Sequence, residues 1–578
     1  MGCSAGMRNG LRRQIVIFSN GKVAAERQRK ASVRTRHTRR SRIHARPPAA
    51  LVAPCYEGKV EGSSGGSRRQ GRCSVRVLLV TEGTYPFSQG GLANWCDMLV
   101  RDLPDVEFVV LGMASDPAST LCYELPRNVV QLVRLPLWGI REAIENQRHL
   151  GLGELIRRSA RATEASVAAH FIPPFRTFLA SLFLEDRTRD FAPALLQMRR
   201  FFLAYDFDAT LRSRVLWQCF AEASEAPFVK AAALCGYPDA QVNLDEVSSS
   251  LSLLYHWLMP LGAQLPAADL THAASAGLCG LIGTVAKLER GTPFLLTEHG
   301  VYLRERYLDE AGADDGLFRK LFRLRFARRL TELGYRYADR VAPGSRYNQR
   351  WEVAMGVPSD RVQVIYNGVD PSRFVPVSKA ASAPATVVWL GRIDPLKDLF
   401  TLLEAAAIVR KTRPDILFRL HGTAPSGAED YYQACLTLRS VLGLQETVRF
   451  EGHARSAAAA FNAGDVVVLS SISEGFPYSV VEAMLCAKPV VATAVGGVPE
   501  ALAGCGIIVE PRNPSQMAAA ILELMADPNR RAQLGHAARN KASQEYTLQQ
   551  CSTAYRSLYR SLVHKRVAAT VVAHAQEP

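Results

Sequence analysis

Glu474 and Glu482 lie in the string Ser473-Glu474-Gly475-Phe476-Pro477-Tyr478-Ser479-Val480-Val481-Glu482-Ala483-Met484, with seven residues between them. The apolar run before them, Asp465-Val466-Val467-Val468-Leu469-Ser470, reads as a buried parallel strand, so the string is a strand-to-helix turn. Glu474 then sits in the loop at the strand's carboxyl end, and Glu482 about one turn inside the helix. Two acceptor groups and the free N–H donors of a helix N-terminus thus surround one crevice, where open α/β sheets bind ligands. A sugar nucleotide calls for this set: acceptors for ribose and hexose hydroxyls, donors for a diphosphate. Taken singly, Glu474 reads as a solvated loop carboxylate and Glu482 as a helix-surface residue; the whole string favours the site.

Cations complement it. Arg392 and Lys397 fall in the loop Gly391-Arg392-Ile393-Asp394-Pro395-Leu396-Lys397, which follows the strand Thr386-Val387-Val388-Trp389-Leu390. When a glycosyl–phosphate bond breaks, negative charge builds on the departing diphosphate. Two fixed cations there stabilise the transition state more than the ground state, and can replace a divalent metal. Gly90-Gly91 follows the first strand and precedes a helix, so backbone without side chains can approach a diphosphate; an ordinary turn is an equal reading. Gly277, Gly280 and Gly283 fall inside a helix and lack the dinucleotide fingerprint, which favours close helix packing. Asp206-Phe207-Asp208 imitates a metal-binding acid pair but lies away from any strand end, as a surface acid pair would.

Alternating strands and helices must position these groups. The fold begins at Val75–Val80 and continues with a helix from Leu92 to about Leu103 and a strand at Phe108–Gly112. Residues 140–265 are Arg-rich, aromatic-rich and mostly helical, and read as an insertion or lid. Alternation resumes with the strand at Leu270–Ala273, helix 275–289, the strand Phe294–Thr297, the loop Glu298-His299-Gly300, helix 316–337 and the strand Arg340–Pro343. Val362–Ile365 and Asn367-Gly368-Val369-Asp370 close this half. A Pro/Ser/Ala-rich linker leads to a second α/β unit with strands at 386–390, 417–420, 448–450, 465–469 and 490–492. The expected architecture is α/β, with two doubly wound, Rossmann-like domains facing a cleft. The divisions are a basic extension over 1–73, an N-terminal domain over 74–370, a C-terminal domain over 384–545, a helix over 546–564 returning to the N-terminal domain, and a tail over 565–578.

Composition excludes several classes. The 578 residues carry a net charge of +16, but residues 1–73 hold 17 Lys/Arg against three acids, and the other 53 bases and 51 acids nearly cancel. The folded part is close to neutral, which argues against nucleic acid as a partner. The basic extension lacks hydrophobic periodicity and reads as disordered. A start site set too far upstream, an organelle transit peptide and a polybasic membrane tether all fit it; Gly6 disfavours myristoylation. Ile15–Phe18 is too short an apolar core for a secretory signal. Residues 247–268 carry no charge, yet four serines, His256, Pro260 and Gln264 make a buried helix the better reading than a membrane span. Twelve cysteines without Cys-x-x-Cys pairs or metal-ligand spacing fit free thiols in a reducing cytosol.

Three blocks of the C-terminal half, Gly391-Arg392 with Lys397, Glu474 through Glu482, and Lys488–Thr493 with Gly496-Gly497-Val498-Pro499-Glu500, resemble the retaining GT-B glycosyltransferases of family 4. Glu82-Gly83-Thr84-Tyr85-Pro86 with Gly90-Gly91, Leu296-Thr297-Glu298-His299-Gly300 and Lys397-Asp398 are similar to the PelF-type branch, which makes an exported polysaccharide from nucleotide sugar. The resemblance spans about 75–545 and is weakest over 140–265. It implies a cytoplasmic enzyme, in some cases peripheral at the inner membrane, and a retaining, metal-independent transfer of a hexosyl unit. The donor is a UDP-sugar, held as substrate without a cofactor. The acceptor is a glycan or a lipid-linked sugar, and the partner a membrane-associated polysaccharide synthase complex.

The same resemblance assigns roles. Glu482 holds the ribose hydroxyls, Glu474 orients the donor sugar, and His299 reaches it from the other domain. Glu298 orients His299 or contacts a substrate. Phe476, Tyr478 and Ser479 offer N–H groups to phosphate, beside Gly90, Gly91 and Gly391. No carboxylate pair presents itself as nucleophile plus acid, so the implied mechanism is same-face attack with the leaving phosphate taking the acceptor's proton. A family 4 transferase for a lipid-linked or storage glycan, and a catalytically silent scaffold that binds a nucleotide sugar, are the competing readings.

Overall fold

The structure is a computed structural model that describes residues 74–575 apart from 140–149, 235, 313, 381 and 426, with the backbone alone over 567–575. The basic extension at 1–73 lies outside the described residues. Two six-stranded parallel sheets carry the molecule. The first is built from β1 (Val75–Glu82), β2 (Val106–Ala114), β3 (Val129–Pro136), β4 (Leu270–Ala273), β5 (Phe294–Glu298) and β6 (Arg340–Pro343), in the order β3-β2-β1-β4-β5-β6. The second comprises β7 (Thr386–Leu390), β8 (Leu417–His421), β9 (Val448–Gly452), β10 (Val466–Leu469), β11 (Val490–Thr493) and β12 (Ile507–Val509), in the order β12-β11-β10-β7-β8-β9.

In each sheet the order reverses beside the first strand, which opens a crevice at the carboxyl ends of the central strands. Those strands read as near-continuous apolar runs because helices cover both faces; all four residues of β10 and of β11 are buried. Two strands differ from the sequence expectation. β3 and β12 were not apparent, because β3 is an edge strand with mixed exposure and β12 is three residues long. Val362–Ile365, which closes the first half, adds an isolated bridge from Val362 to Val341.

Between β3 and β4 the chain forms a helical block that includes Ile172–Phe183, Phe191–Ala204, Arg214–Leu234 and Leu244–Leu258. Phe175, Phe178, Phe191 and Phe220 fuse its core with Phe318, Phe322 and Phe326 of the helix Leu317–Tyr337. Arg199 is buried within the block, paired with Glu289 at 2.7 Å and donating to the Leu261 and Ala263 carbonyls. Asp206 caps a short helix and Asp208 accepts from Tyr255, so the acid pair is structural. Gly280 packs beside Gly334, and Gly283 lies under the Phe294 ring, as close helix packing requires.

The polypeptide crosses between the domains twice, side by side. Val369 N donates to Tyr546 O at 2.9 Å and Leu548 N returns to Val369 O at 3.0 Å. Gly368 allows this approach, since a β-carbon there would lie 2.5 Å from the Thr547 carbonyl oxygen. The final helix, Leu548–Ala575, then packs on the first domain. Cys551, Tyr555, Leu558, Tyr559 and Leu562 join a core with Val77, Leu79, Tyr85 and Trp95. It continues through the segment read as a tail, which has no Gly and no Pro before Pro578 to stop it.

Candidate active site

The loop after β7 is tied down before it presents a cation. Asp394 accepts from Leu396 N at 3.0 Å, and Asp398 accepts from Thr401 Oγ1 at 2.6 Å where the helix Leu399–Thr412 begins. Ser470 Oγ donates to the Lys397 carbonyl at 2.8 Å and Ile472 N to the Leu396 carbonyl at 2.8 Å. These bonds fasten the loop that carries Lys397 to the loop that carries Glu474. Lys397 Nζ meets Glu474 Oε1 at 2.5 Å, and Ser471 Oγ donates to the same oxygen at 2.6 Å. Arg392 is largely exposed, with an ion pair to Asp394 at 3.3 Å.

Arg392, Lys397 and Glu474 line a cavity of about 120 Å³ whose opposite wall is first-domain Gly300, Arg304, Glu305 and Asn348. Arg304 reaches across to donate to Ser473 Oγ and lies over the Tyr347 ring. Glu305 has its carboxyl raised by burial, with Arg306 as the strongest opposing charge. None of Arg304, Glu305 and Asn348 was apparent from the sequence. The only local signal is that Arg304 and Glu305 begin the helix just after Thr-Glu-His-Gly.

The remaining predicted residues surround this cavity without lining it. His299 sits behind the wall, its ring 4.3 Å from that of Trp95, and Nδ1 bonds to Asn367 Oδ1 at 3.0 Å. Burial lowers its pKa to about 4, so the imidazole is neutral at pH 7. Its carbonyl is covered by Gly475, where a β-carbon would fall 1.8 Å from the oxygen. Glu298 is 1 % exposed and faces inward, where it accepts from Tyr302 N at 3.1 Å and from Tyr335 Oη. Burial pushes its carboxyl up to about 7. In this arrangement it caps the helix Tyr302–Gly312 and reaches neither His299 nor the cleft by a side-chain hydrogen bond.

Phe476 is buried against Tyr366 and Tyr546. Tyr478 and Ser479 open the helix Tyr478–Leu485 behind Pro477, the first-turn position that lacks an N–H. The Tyr478 ring projects into the first domain, 3.9 Å from where a β-carbon on Gly91 would lie, so Gly91 faces this helix start, while a β-carbon on Gly90 would meet open space. Glu482 lies in the second turn of that helix, half-buried; burial raises its carboxyl to about 7, opposed by Arg373. Gly391 bonds through its N–H to the His421 carbonyl at 3.0 Å, beside Gly422. Among the described residues no group of three or more His, Cys, Asp or Glu is placed to hold a metal ion.

With that geometry the chain is similar to solved glycosyltransferases. It superposes on HepE of Anabaena in complex with UDP and glucose, with a TM-score of 0.53 and 16 % identity over 84 % of this chain and 99 % of that one. Against the sucrose-phosphate synthase of Thermosynechococcus elongatus the TM-score is 0.55, at 18 % identity over 85 % and 100 %. The fold is GT-B. Within this GT-B chain, residues 384–527 match the family described as glycosyl transferases group 1, and residues 75–360 match a domain of unknown function, DUF3492.

Among curated proteins it is 32 % identical over 285 residues to the D-inositol 3-phosphate glycosyltransferase of Thermobispora bispora, covering 45 % of this chain and 65 % of that protein. To the one from Pseudarthrobacter chlorophenolicus it is 34 % identical over 198 residues, covering 32 % and 47 %. The chain spans between about half and two thirds of the length of these relatives. No helix among the described residues is long and apolar enough to cross a membrane.

Proposed function

We propose that this GT-B chain transfers a hexosyl unit from a UDP-sugar to a glycan acceptor with retention of anomeric configuration, as a PelF-like member of family 4 serving exopolysaccharide synthesis. The observation that carries the reading is the cavity on which Arg392, Lys397 and Glu474 converge from one domain, closed by Arg304 and Glu305 from the other. The Lys397–Glu474 contact places a cation beside an acceptor carboxylate, as a diphosphate-linked hexose requires: the ammonium for the leaving oxygen, the carboxylate for a sugar hydroxyl. Arg392, exposed and held among the described residues by an ion pair to Asp394, is free to swing onto the diphosphate. These cations take the role that a divalent metal plays elsewhere, and no cofactor enters the reaction.

The neutral His299 neither repels an electron-poor anomeric centre nor competes for the diphosphate. The acceptor hydroxyl attacks carbon 1 on the face the diphosphate leaves, its proton passes to the departing phosphate oxygen, and the carbon–oxygen bond to phosphate breaks as the new glycosidic bond forms. Domain closure excludes water and limits hydrolysis. The PelF-type sequence blocks around Glu82–Pro86 and Leu296–Gly300 support a polysaccharide acceptor, with a membrane-associated synthase complex as the partner and a cytoplasmic, peripheral location.

The test is transfer from radiolabelled UDP-hexoses by the purified chain, with glycan oligomers and D-inositol 3-phosphate as competing acceptors, with and without EDTA. Glycan products with the donor's anomeric configuration, EDTA-resistant turnover and loss of transfer in Glu474→Gln are expected. Unchanged turnover in Glu474→Gln removes that residue from the mechanism, and transfer to the inositol phosphate alone removes the polysaccharide assignment.

A further inference from the structure

Asn367 belongs to the Asn-Gly-Val-Asp segment at the first domain crossing, to which the mechanism above gives no role. It is 4 % exposed and touches both domains. Its Nδ2 donates to the Phe476 carbonyl at 2.9 Å, just before the helix Tyr478–Leu485 of the second domain. Its Oδ1 lies 3.0 Å from His299 Nδ1 in the first. A carbonyl oxygen only accepts, so the amide NH₂ must face Phe476 and the amide oxygen must face the histidine. An amide oxygen also only accepts, so His299 Nδ1 must carry the proton. In a neutral imidazole this leaves Nε2 without one.

That Nε2 is buried with no hydrogen-bond partner among the described residues. The depressed pKa of His299 agrees, since a neutral ring keeps the tautomer meaningful at pH 7. The neighbouring His272 offers no alternative partner, because its two nitrogens are taken by Tyr559 Oη and Thr297 Oγ1 at 2.7 and 2.8 Å.

We propose that Asn367 is a positioning residue that locks His299 in the Nδ1-protonated tautomer when the domains close, so that Nε2 presents a bare lone pair to a ligand hydroxyl. The inference rests on the transferase reading and deepens it. A lone pair accepts from a sugar O–H and cannot hold a phosphate or a carboxylate, so His299 recognises the hexose and leaves the diphosphate to Arg392 and Lys397. Closure supplies the Phe476 carbonyl that fixes the amide; without it the Asn367 side chain can turn over and offer its NH₂ to Nδ1. Closure thereby leaves Nε2 in the form that needs a hydroxyl, behind the wall that Gly300 lines, and a hexose seated against that wall satisfies it.

Two measurements on the full chain test this. With ¹⁵N-histidine labelling and UDP present, the histidine resonances lost in His299→Gln are expected to show a protonated Nδ1 and an unprotonated Nε2, and Asn367→Ala to shift them toward a tautomer mixture. A protonated Nε2 in the unsubstituted chain, or an unchanged tautomer in Asn367→Ala, overturns the proposal. In the transfer assay Asn367→Ala is expected to lower kcat about 10–100-fold, the range found when the partner that orients a metal-bound histidine is removed. UDP affinity should stay within about twofold, and the Asn367→Ala/His299→Ala pair should be no slower than His299→Ala alone. Losses that multiply, or a matching loss of UDP affinity, also overturn it. An unsubstituted chain that transfers nothing removes the transferase reading, while the resonance measurement still decides the tautomer.

Discussion

Arg392 and Lys397 carry the same charge but are held differently, and substitution should separate them. Arg392 is 64 % exposed in its side chain and, among the described residues, ion-pairs with Asp394 alone, an arrangement worth about 0–1 kcal/mol to folding. Arg392→Ala should therefore lower kcat by about 10²–10³-fold, the range for losing one preorganised charge-stabilising group, with an unchanged melting temperature. Lys397→Ala strips the ammonium from Glu474, which is 9 % exposed, and should lower both turnover and melting temperature.

Glu482 gives a pH prediction. Its carboxyl titrates near 7 because of burial, so the ionised acceptor form grows as pH rises from 6 to 8. UDP binding, followed by calorimetry, should tighten over that interval, and Glu482→Gln should flatten the profile. The Glu474–Glu482 string and the Arg392–Lys397 loop were legible because each follows an apolar strand. Arg304, Asn348 and Asn367 were not: they come from helices and a crossing that only the tertiary fold brings to the cleft. Glu298 directly precedes His299, but it ends β5 and its carboxylate turns inward to Tyr335, a direction the sequence does not show.

At the level of elements, the strand and helix alternation was readable wherever both faces are buried, because such strands are short unbroken apolar runs. It failed at the edges, where most of β3 is partly or fully exposed with no regular period, and at β12, too short to show one. The helical block between β3 and β4 was visible as a class but not in its packing, which depends on phenylalanines meeting a helix more than a hundred residues later in the chain. The final helix makes the strongest stability prediction. Tyr555 is 1 % exposed, packs on Trp95 and His272, and lies 3.1 Å from Thr297 Oγ1. Tyr555→Ala should destabilise the first domain by about 3–5 kcal/mol, as large-to-small changes at buried aromatics do, read as a lower chemical-denaturation midpoint.

For the molecule as a whole, the cavity at the seam is far smaller than the roughly 300–1,000 Å³ of ordinary small-molecule sites. On the proposed function, a nucleotide sugar enters only if the domains part, and the paired crossings at 366–370 and 546–548 are where they can pivot. Glu500 latches the seam. One carboxylate accepts from Arg346 N at 3.1 Å, Tyr347 N at 3.2 Å and Tyr366 Oη at 3.0 Å, capping a first-domain helix from the second domain. Glu500→Ala should shift the chain toward the open form, seen as a larger radius of gyration in solution scattering and a raised KM for the donor.

The second domain is in effect spliced into the first, and this has a consequence for how the chain is made. Tyr559 bonds to His272 across 287 positions of sequence, and Tyr555 packs on Trp95, so the N-terminal sheet cannot finish burying Trp95 until the final helix has been made. A released chain truncated after Glu545 should display a protease-resistant second lobe beside a first lobe that is still cleaved. Synthesis order and completion order are thus inverted: the half translated first is the half that finishes last.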